Sequence, residues 1–435
     1  MIAFQYKKIA RISSKQIKQM QRDAASALAP LRASLKKKPY TDEFASLHLP
    51  SDKKYQQRIA SLVAEKKRLG VDVLVVIGIG GSNLGSMALQ EALTGKFHNE
   101  LYSPKVYYAD TVDPDKTADI LCLVRTALEK KQRVLINCIT KSGSTTETIA
   151  HLHVFFSLLK KYRSDYKKYV VFTTDKGSPL WNLAVREGFD VLEIPALVGG
   201  RYSVFSAVGQ FPLGLLGSNV SKLLKGARDM RTRCLLPVLR NPAAMSAMIL
   251  AAHYTRSARI HDLFMFSADL ESVGKWYRQL MGESIGKEHD LLGNKVYCGM
   301  TPTVSIGSTD LHSMAQLYLG GPFDKCTAFV TVQRANNSVR VPKNSVIKGL
   351  VADIEGKTYA QVLQAIVEGT QVAYQKAKRP FIDIRLPDKS EESLGALLQL
   401  FEMQMMILGS LLNVNPFDQP SVEKYKKETR RLLRS

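Results

Sequence analysis

The sequence predicts an α/β protein built from two parallel-sheet βα sandwich units, with helical extensions at its amino and carboxyl ends. Three observations point there. Short apolar runs rich in β-branched residues recur along the chain. Amphipathic stretches of helical period lie between them, an alternation typical of βα units around a parallel sheet. The length of 435 residues, at roughly 100–200 residues per domain, suits two or three units, each able to bury its own core.

Residues 1–45 read as a helical extension. A first α/β domain is expected over 46–203, with strands at 73–77, 106–109, 134–140, 169–173 and 191–194. Helices at 83–94, 113–130, 145–162 and 179–187 would connect them. The second of these opens on Asp113 as N-cap, with Pro114 in the first helical position. Residues 195–202 read as a glycine-bearing connector, and a helical stretch over 204–233 opens a second α/β domain at 204–388. Strands are expected there at 263–266, 296–298, 328–332 and 381–385, with helices at 243–257, 270–283, 311–318 and 359–378. A helical segment over 389–435 closes the chain, with helices at 391–412 and 421–433. Both halves repeat strand, glycine- or serine-bearing turn, helix, without visible sequence identity.

Composition narrows the function. With 45% hydrophobic residues, 28 Gly and 17 Pro the chain is neither disordered nor collagen-like. Five cysteines, at 122, 138, 234, 298 and 326, form no CxxC pair that would suggest zinc or a redox couple, and their odd number suits a reducing compartment. The opening MIAFQYKKIARISSKQ lacks the apolar run of a signal peptide. No stretch reaches the ~18 apolar residues of a membrane span. The expectation is a soluble cytosolic protein. The 61 Lys and Arg exceed the 39 Asp and Glu to leave a formal charge of +22, but they are scattered in pairs and triplets, with one denser stretch over 424–434. That reads as a solvated surface whose field would draw in an anionic substrate, with no nucleic-acid or membrane partner.

Six segments could carry chemistry. GIGGSNLGS, 78–86, follows an apolar strand, and its glycines let backbone amides approach an anion at a helix N-terminus. The dinucleotide fingerprint fails there because Asn83 stands where a third glycine is needed, though Asp110 after the next strand keeps a nucleotide reading open. TKSGSTTET, 140–148, is again a strand-to-helix turn, with six Ser or Thr in nine residues. One hydroxyl suffices to cap a helix, so the surplus points to phosphate, with Lys141 adding charge. It lacks the spacing of an NTP-binding loop. In VGGRYSVFSAVG, 198–209, Arg201 sits beside two glycines. In GESIGKE, 282–288, Glu283 ends an apolar helix as a candidate base. In IGSTDLHSMAQ, 306–316, Ser308, Thr309 or Asp310 would cap a helix with His312 in its first turn. NPFDQPSVEKYKK, 415–427, is a proline-fixed loop entering a basic helix.

Taken in order, the GIGGS turn, the Ser/Thr loop, GGRYS, ESxGK, GSTDxHS and the FDQ segment resemble the glucose-6-phosphate isomerase family in its shorter bacterial form, over about 70–427. The resemblance implies two sugar-isomerase (SIS) type domains and reversible isomerisation of glucose 6-phosphate and fructose 6-phosphate through a cis-enediolate. It implies a phosphate pocket of Ser82, Thr140, Lys141, Ser142 and Thr145, with Gly81 and Gly200 lining the sugar. It assigns proton transfer between C1 and C2 to Glu283, ring opening to His312 with Lys426, the enediolate's counter-charge to Arg201, and further sugar contacts to Gln279 and Gln419. It also implies a homodimer acting on a hexose phosphate, with no cofactor and no metal. Two departures stand out. Thr140 replaces a serine common in the family, and Lys424 and Lys427 flank Lys426, so the lysine register rests on spacing. A sugar-phosphate-binding regulatory module would share the hydroxyl loop without needing Glu283, His312 and Arg201 together. A nucleic-acid-binding protein would account for the charge. An isomerase that also accepts mannose 6-phosphate differs only in pocket shape.

Overall fold

A computed structural model describes residues 1–343, 346–347 and 349–434. The chain forms two compact units, a first of Leu28–Arg231 and a second of Met1–Ala27 with Thr232–Ser435. Residues 204–231 therefore belong with the first unit, where the sequence suggested that they open the second domain. The strands, in chain order, are β1 (Ala3–Gln5), β2 (Val73–Ile77), β3 (Lys105–Ala109), β4 (Val134–Ile139), β5 (Val170–Asp175) and β6 (Asp190–Ile194). They continue with β7 (Ile260–Phe266), β8 (Lys287–His289), β9 (Lys295–Cys298), β10 (Thr301–Ile306), β11 (Lys325–Val332) and β12 (Phe381–Leu386).

In the first unit β3-β2-β4-β5-β6 form one wholly parallel sheet. Every residue of β2 and β4 is buried. Their uninterrupted apolar runs suit strands covered by helices on both faces, where alternation would expose nothing. Ile77, Ile136 and Phe172 pack with Phe155 of the helix Thr146–Tyr162 and Val124 of the helix Pro114–Glu129 in one core. Helix boundaries follow local chemistry. Asp113 accepts the Lys116 amide ahead of Pro114, and Ser178 accepts the Trp181 amide ahead of Pro179, whose helix ends at Gly188 with φ 72°.

The stretch read as one helix over 204–233 is two, Ala207–Leu215 and Val220–Arg233, separated at Gly217, whose φ of 92° no helix accommodates. The first of them is buried along its whole length. Tyr55 anchors it. Its hydroxyl donates to the Glu193 carbonyl at 2.6 Å and accepts the Ala207 amide at 2.9 Å, tying the start of this helix to β6.

The second unit repeats the arrangement. Its sheet runs β1-β12-β11-β7-β10, parallel except for β1. The first 45 residues are thus not wholly helical, since β1 borders β12 in antiparallel register, Phe4 opposite Ile384. Strand β10 is an addition to the expected elements, hidden by the Pro and hydroxyl residues of TPTVSI. It lies at the sheet edge, where a residue lacking an N–H is tolerated. The stretch at 296–298 does not join this sheet. It forms the β8–β9 hairpin around a turn in which the Asp290 carboxylate accepts the Leu292 and Asn294 amides.

Helix Glu391–Leu411 is long and apolar enough to cross a membrane by length and composition, but 83% of its most apolar window is buried within the protein. It packs on the helix Pro242–Thr255, with Gln404 donating to the Ser246 hydroxyl at 2.9 Å.

Replacing Tyr55 with Phe strands a buried amide and a carbonyl, each worth about 1–3 kcal/mol when left unpaired. Tyr55→Phe is therefore expected to lower unfolding free energy by a few kcal/mol, read as a reduced urea midpoint at unchanged slope; an unshifted midpoint would show that water replaces the hydroxyl.

Candidate active site

Three of the six segments lie in the first unit and three in the second. In the first unit, the GIGGS turn leaves β2 and the Ser/Thr loop leaves β4, its immediate neighbour. The turns themselves touch, because a Cβ on Gly78 would stand 3.0 Å from the Ile139 carbonyl at the end of β4. The Arg201 segment joins them. A Cβ on Gly81 would fall 2.2 Å from the carbonyl carbon of Gly200, so only glycine permits this backbone-to-backbone approach. Ser203 bridges the pair, donating to the carbonyls of Gly200 at 2.7 Å and Gly81 at 3.3 Å. Arg201 is 2% exposed, with its guanidinium 5.4 Å from the Tyr202 ring centre. Asn83 is fully buried, and neither of its amide atoms has a hydrogen-bond partner among the described residues.

The hydroxyl loop carries a specific signal. Thr145 occupies the N-cap of helix Thr146–Tyr162, yet its side chain makes no capping hydrogen bond. It pairs instead with the Thr140 hydroxyl at 2.8 Å and lies 3.4 Å from Ser142. Three hydroxyls thus cluster above a helix start whose first amides have no side-chain cap, an arrangement that suits an oxyanion. Gly143, at φ 69°, makes the turn possible, because a Cβ there would meet the Leu180 amide nitrogen at 2.9 Å.

Lys141 donates to the Ala196 carbonyl at 2.5 Å and lies 3.9 Å from the Asp175 carboxylate. Burial lowers its pKa, against the pull of Asp175. Burial likewise pushes Asp175 up to about 6, with Lys141 opposing and Glu193 reinforcing the shift.

In the second unit, helix Glu271–Ile285 carries Gln279 and Glu283 one turn apart, and the Gln279 amide donates to the Glu283 carboxylate at 3.0 Å. Both side chains are half-buried. Lys287, 7% exposed, donates to the Glu283 carbonyl at 2.7 Å and to the Asp418 carboxylate at 2.9 Å, which brings the FDQ segment to the end of this helix. Gln419 itself is exposed. On the helix Val422–Leu432, Lys426 and Val422 share the half-buried face, whereas Lys424 and Lys427 are exposed. Lys424 pairs with Glu288 and Lys426 with Glu423, each at 2.9 Å.

His312 lies elsewhere in this unit. The expected capped helix is absent. Residues Thr309–Leu311 form a 3-10 turn without a side-chain cap, His312 closes it, and the next helix begins only at Ala315. Asp310 stabilises the turn by accepting the Ile306 amide at 2.7 Å and the Ser313 hydroxyl at 2.8 Å. Beneath it, the buried Asp262 carboxylate accepts from Thr303 at 2.7 Å, Ser305 at 3.0 Å and Tyr318 at 3.1 Å. Burial raises its pKa against these three hydroxyls. Gly282, next to Glu283, lies 4.0 Å from Pro302 at the start of β10, measured from an added Cβ, whereas His312 follows the strand's far end. The six residues of β10 span roughly 20 Å at ~3.3 Å each, so the turn that carries His312 leaves the end of the strand opposite to the one beside Gly282.

Among the described residues no three His, Cys, Asp or Glu side chains are grouped as a metal would require.

A family model described as phosphoglucose isomerase matches residues 50–435. The chain belongs to the phosphoglucose isomerase family. A glucose-6-phosphate isomerase from Carboxydothermus hydrogenoformans is 36% identical over 409 residues, covering 92% of this chain and 87% of its own length. The crystal structure of a hypothetical protein from Thermus thermophilus is 31% identical, with a TM-score of 0.90 and full coverage of both chains. That of a glucose-6-phosphate isomerase from Chlamydia trachomatis, at 21% identity and a TM-score of 0.80 over 99% of this chain, shares the fold.

Three further polar residues beside these segments carry no clear sign in the sequence. Lys287 lies within GESIGKE, but a lysine near a carboxylate in sequence gives no sign of burial. Asp175 and Asp262 end or occupy apolar strands, and an acid inside such a run is the signal that could have exposed both.

A raised carboxyl pKa means that the folded state binds the proton more tightly than the unfolded chain, so stability falls as pH rises from 3.8 toward about 6. Asp175→Asn is expected to flatten that decline, measured as denaturation midpoints across this range; an unchanged pH profile would locate the proton elsewhere.

Proposed function

We propose that Glu283 moves the proton between C1 and C2 of an open-chain hexose phosphate, that Arg201 stabilises the enediolate, and that His312 with Lys426 opens the ring. The activity, reversible interconversion of glucose 6-phosphate and fructose 6-phosphate, follows from membership of the family. Ser82, Thr140, Lys141, Ser142 and Thr145 hold the phosphate, Gly81 and Gly200 line the sugar, and Gln279 and Gln419 contact its hydroxyls.

The observation that carries the reading is the Thr145 hydroxyl, turned from its own helix cap toward Thr140. That geometry wastes a capping bond unless an anion collects the hydroxyls and the exposed amides together. Phosphate contacts remain constant through the reaction, so they position the substrate and leave rate enhancement to the groups at C1 and C2. One carboxylate serves both proton transfers, since it can return the proton to the adjacent carbon. Such a base typically contributes ~10²–10⁴-fold and a preorganised cation at the oxyanion ~10²–10³-fold. A buried arginine meets the second need because its weakly hydrated, planar guanidinium can direct several N–H donors at one oxyanion.

Homodimer formation accords with Glu283 and His312 following opposite ends of β10, because a second copy could bring its own histidine toward the glutamate.

Two measurements test this. Glu283→Gln should lower kcat for fructose 6-phosphate by ~10²-fold or more, with competitive inhibition by inorganic phosphate unchanged; turnover within tenfold of the parent would refute the base. Mixing inactive Glu283→Gln and His312→Ala chains, after unfolding and refolding together, should restore up to about a quarter of the parent activity if the two residues act across copies. A mixture as inactive as its components would refute the shared site.

A further inference from the structure

We infer that Lys287 is a positioning residue that locks the end of the base-bearing helix to the segment preceding Gln419, an inference that rests on Glu283 being the base. Lys287 stands just past helix Glu271–Ile285, and its side chain is 5% exposed. Its ammonium donates to the Glu283 backbone carbonyl at 2.7 Å, to the Asp418 carboxylate at 2.9 Å and to the Asp418 carbonyl. An ammonium has three N–H donors, and three oxygen acceptors converge on this one.

Each acceptor has a positional meaning. The Glu283 carbonyl belongs to the last turn of its helix, where carbonyls lack intrahelical partners and a cation is favoured by the dipole. Without such a partner this turn would fray, and the Glu283 side chain would lose its fixed direction. The chain here is already constrained, because a Cβ on Gly286 would meet the Gly282 carbonyl oxygen at 2.5 Å. The Asp418 contacts carry the constraint onward, since Gln419 is the next residue and the helix bearing Lys426 begins at Val422. One buried cation therefore sets the spacing between the base and the segment that supplies two further sugar-handling residues.

Burying an ammonium is costly, and an apolar residue would often stabilise such a position as well or better. The tripod geometry argues for alignment as the gain. It also explains why lysine is present: a planar guanidinium directs its donors into a fork and cannot converge on three acceptors around one point.

The test compares Lys287→Met, Lys287→Arg and Asp418→Ala with the parent, measuring kcat and KM for fructose 6-phosphate, the inhibition constant of inorganic phosphate, and thermal unfolding. Misplacement by about 1 Å can cost ~10²-fold, so Lys287→Met is expected to lose kcat on that scale while KM and phosphate inhibition change less than about threefold. Lys287→Arg is expected to recover only part of kcat. Asp418→Ala, which leaves the lysine and its carbonyl contacts, should lose about tenfold in kcat alone, and it decides the matter should Lys287→Met fail to fold. Parent-like kcat in a folded Lys287→Met chain, or in Asp418→Ala if that chain must stand in, would overturn the inference. So would parallel losses in kcat, KM and melting temperature, which mark a merely structural residue. Glu283→Gln assayed alongside separates the two failures: if it is active the base assignment falls, and if it is inactive while Lys287→Met is active only the strut falls.

Discussion

Strand order is the constraint on which the first unit's chemistry depends. Strand β2 lies between β3 and β4, so the chain leaving β2 turns to one side while the chain leaving β4 turns to the other. Right-handed crossovers then put the two connecting helices on opposite faces, and a crevice opens between the loops that neither helix fills. Both turns leave the strands at that switch point, each leading into the start of a helix. The Arg201 segment can enter only because Gly81 and Gly200 carry no side chains, and Tyr55 and Ser203 hold it there through backbone groups. The backbone of the Arg201 segment is thereby held against the first of the two turns, whose neighbour on β4 carries the hydroxyls.

The second unit uses the same order, with β7 between β10 and β11, but spends it differently. Here the helix following β7 returns along the sheet and presents Glu283 at its far end, near the beginning of β10. The loop leaving β10 carries His312 at the opposite end. A sheet of this kind has two ends, and the helix that carries Glu283 stops beside the start of β10 while the turn that carries His312 leaves its finish. The direction of one parallel strand thus separates the starting points of the two segments.

Much of the first unit was legible because its signals were local. Proline at the first helical position, serine or aspartate before it and glycine after it marked helix Pro179–Glu187 to the residue, and β2 and β4 announced themselves as apolar runs. The hydroxyl loop was legible for a chemical reason, its surplus of Ser and Thr over what a cap needs. What could not be read were features set by distant pairing. Strand β1 is three residues long and becomes a strand only by bordering β12. The segment 204–231 has ordinary helical composition, and its allegiance to the first unit depends on Tyr55, 152 residues before Ala207. Lys287 resembles any other lysine until Asp418 is found beside it.

Strand β10 shows how such concealment and stability can share one cause. Pro302 removes an amide from the ladder, and Thr303 and Ser305 break the apolar run by which strands are recognised. Those same hydroxyls reach across to β7 and donate to Asp262, which also accepts from Tyr318 in the helix that follows the His312 turn. An edge strand deficient in backbone bonding is therefore held by side chains to an acid sealed in the sheet. Hydroxyls suit the task better than aliphatic residues would, because a buried carboxylate without donors would be forced to protonate and would then hold nothing by charge. The polar residues that make β10 a poor strand by composition are the ones that fix its position, and with it the start of the turn that presents His312.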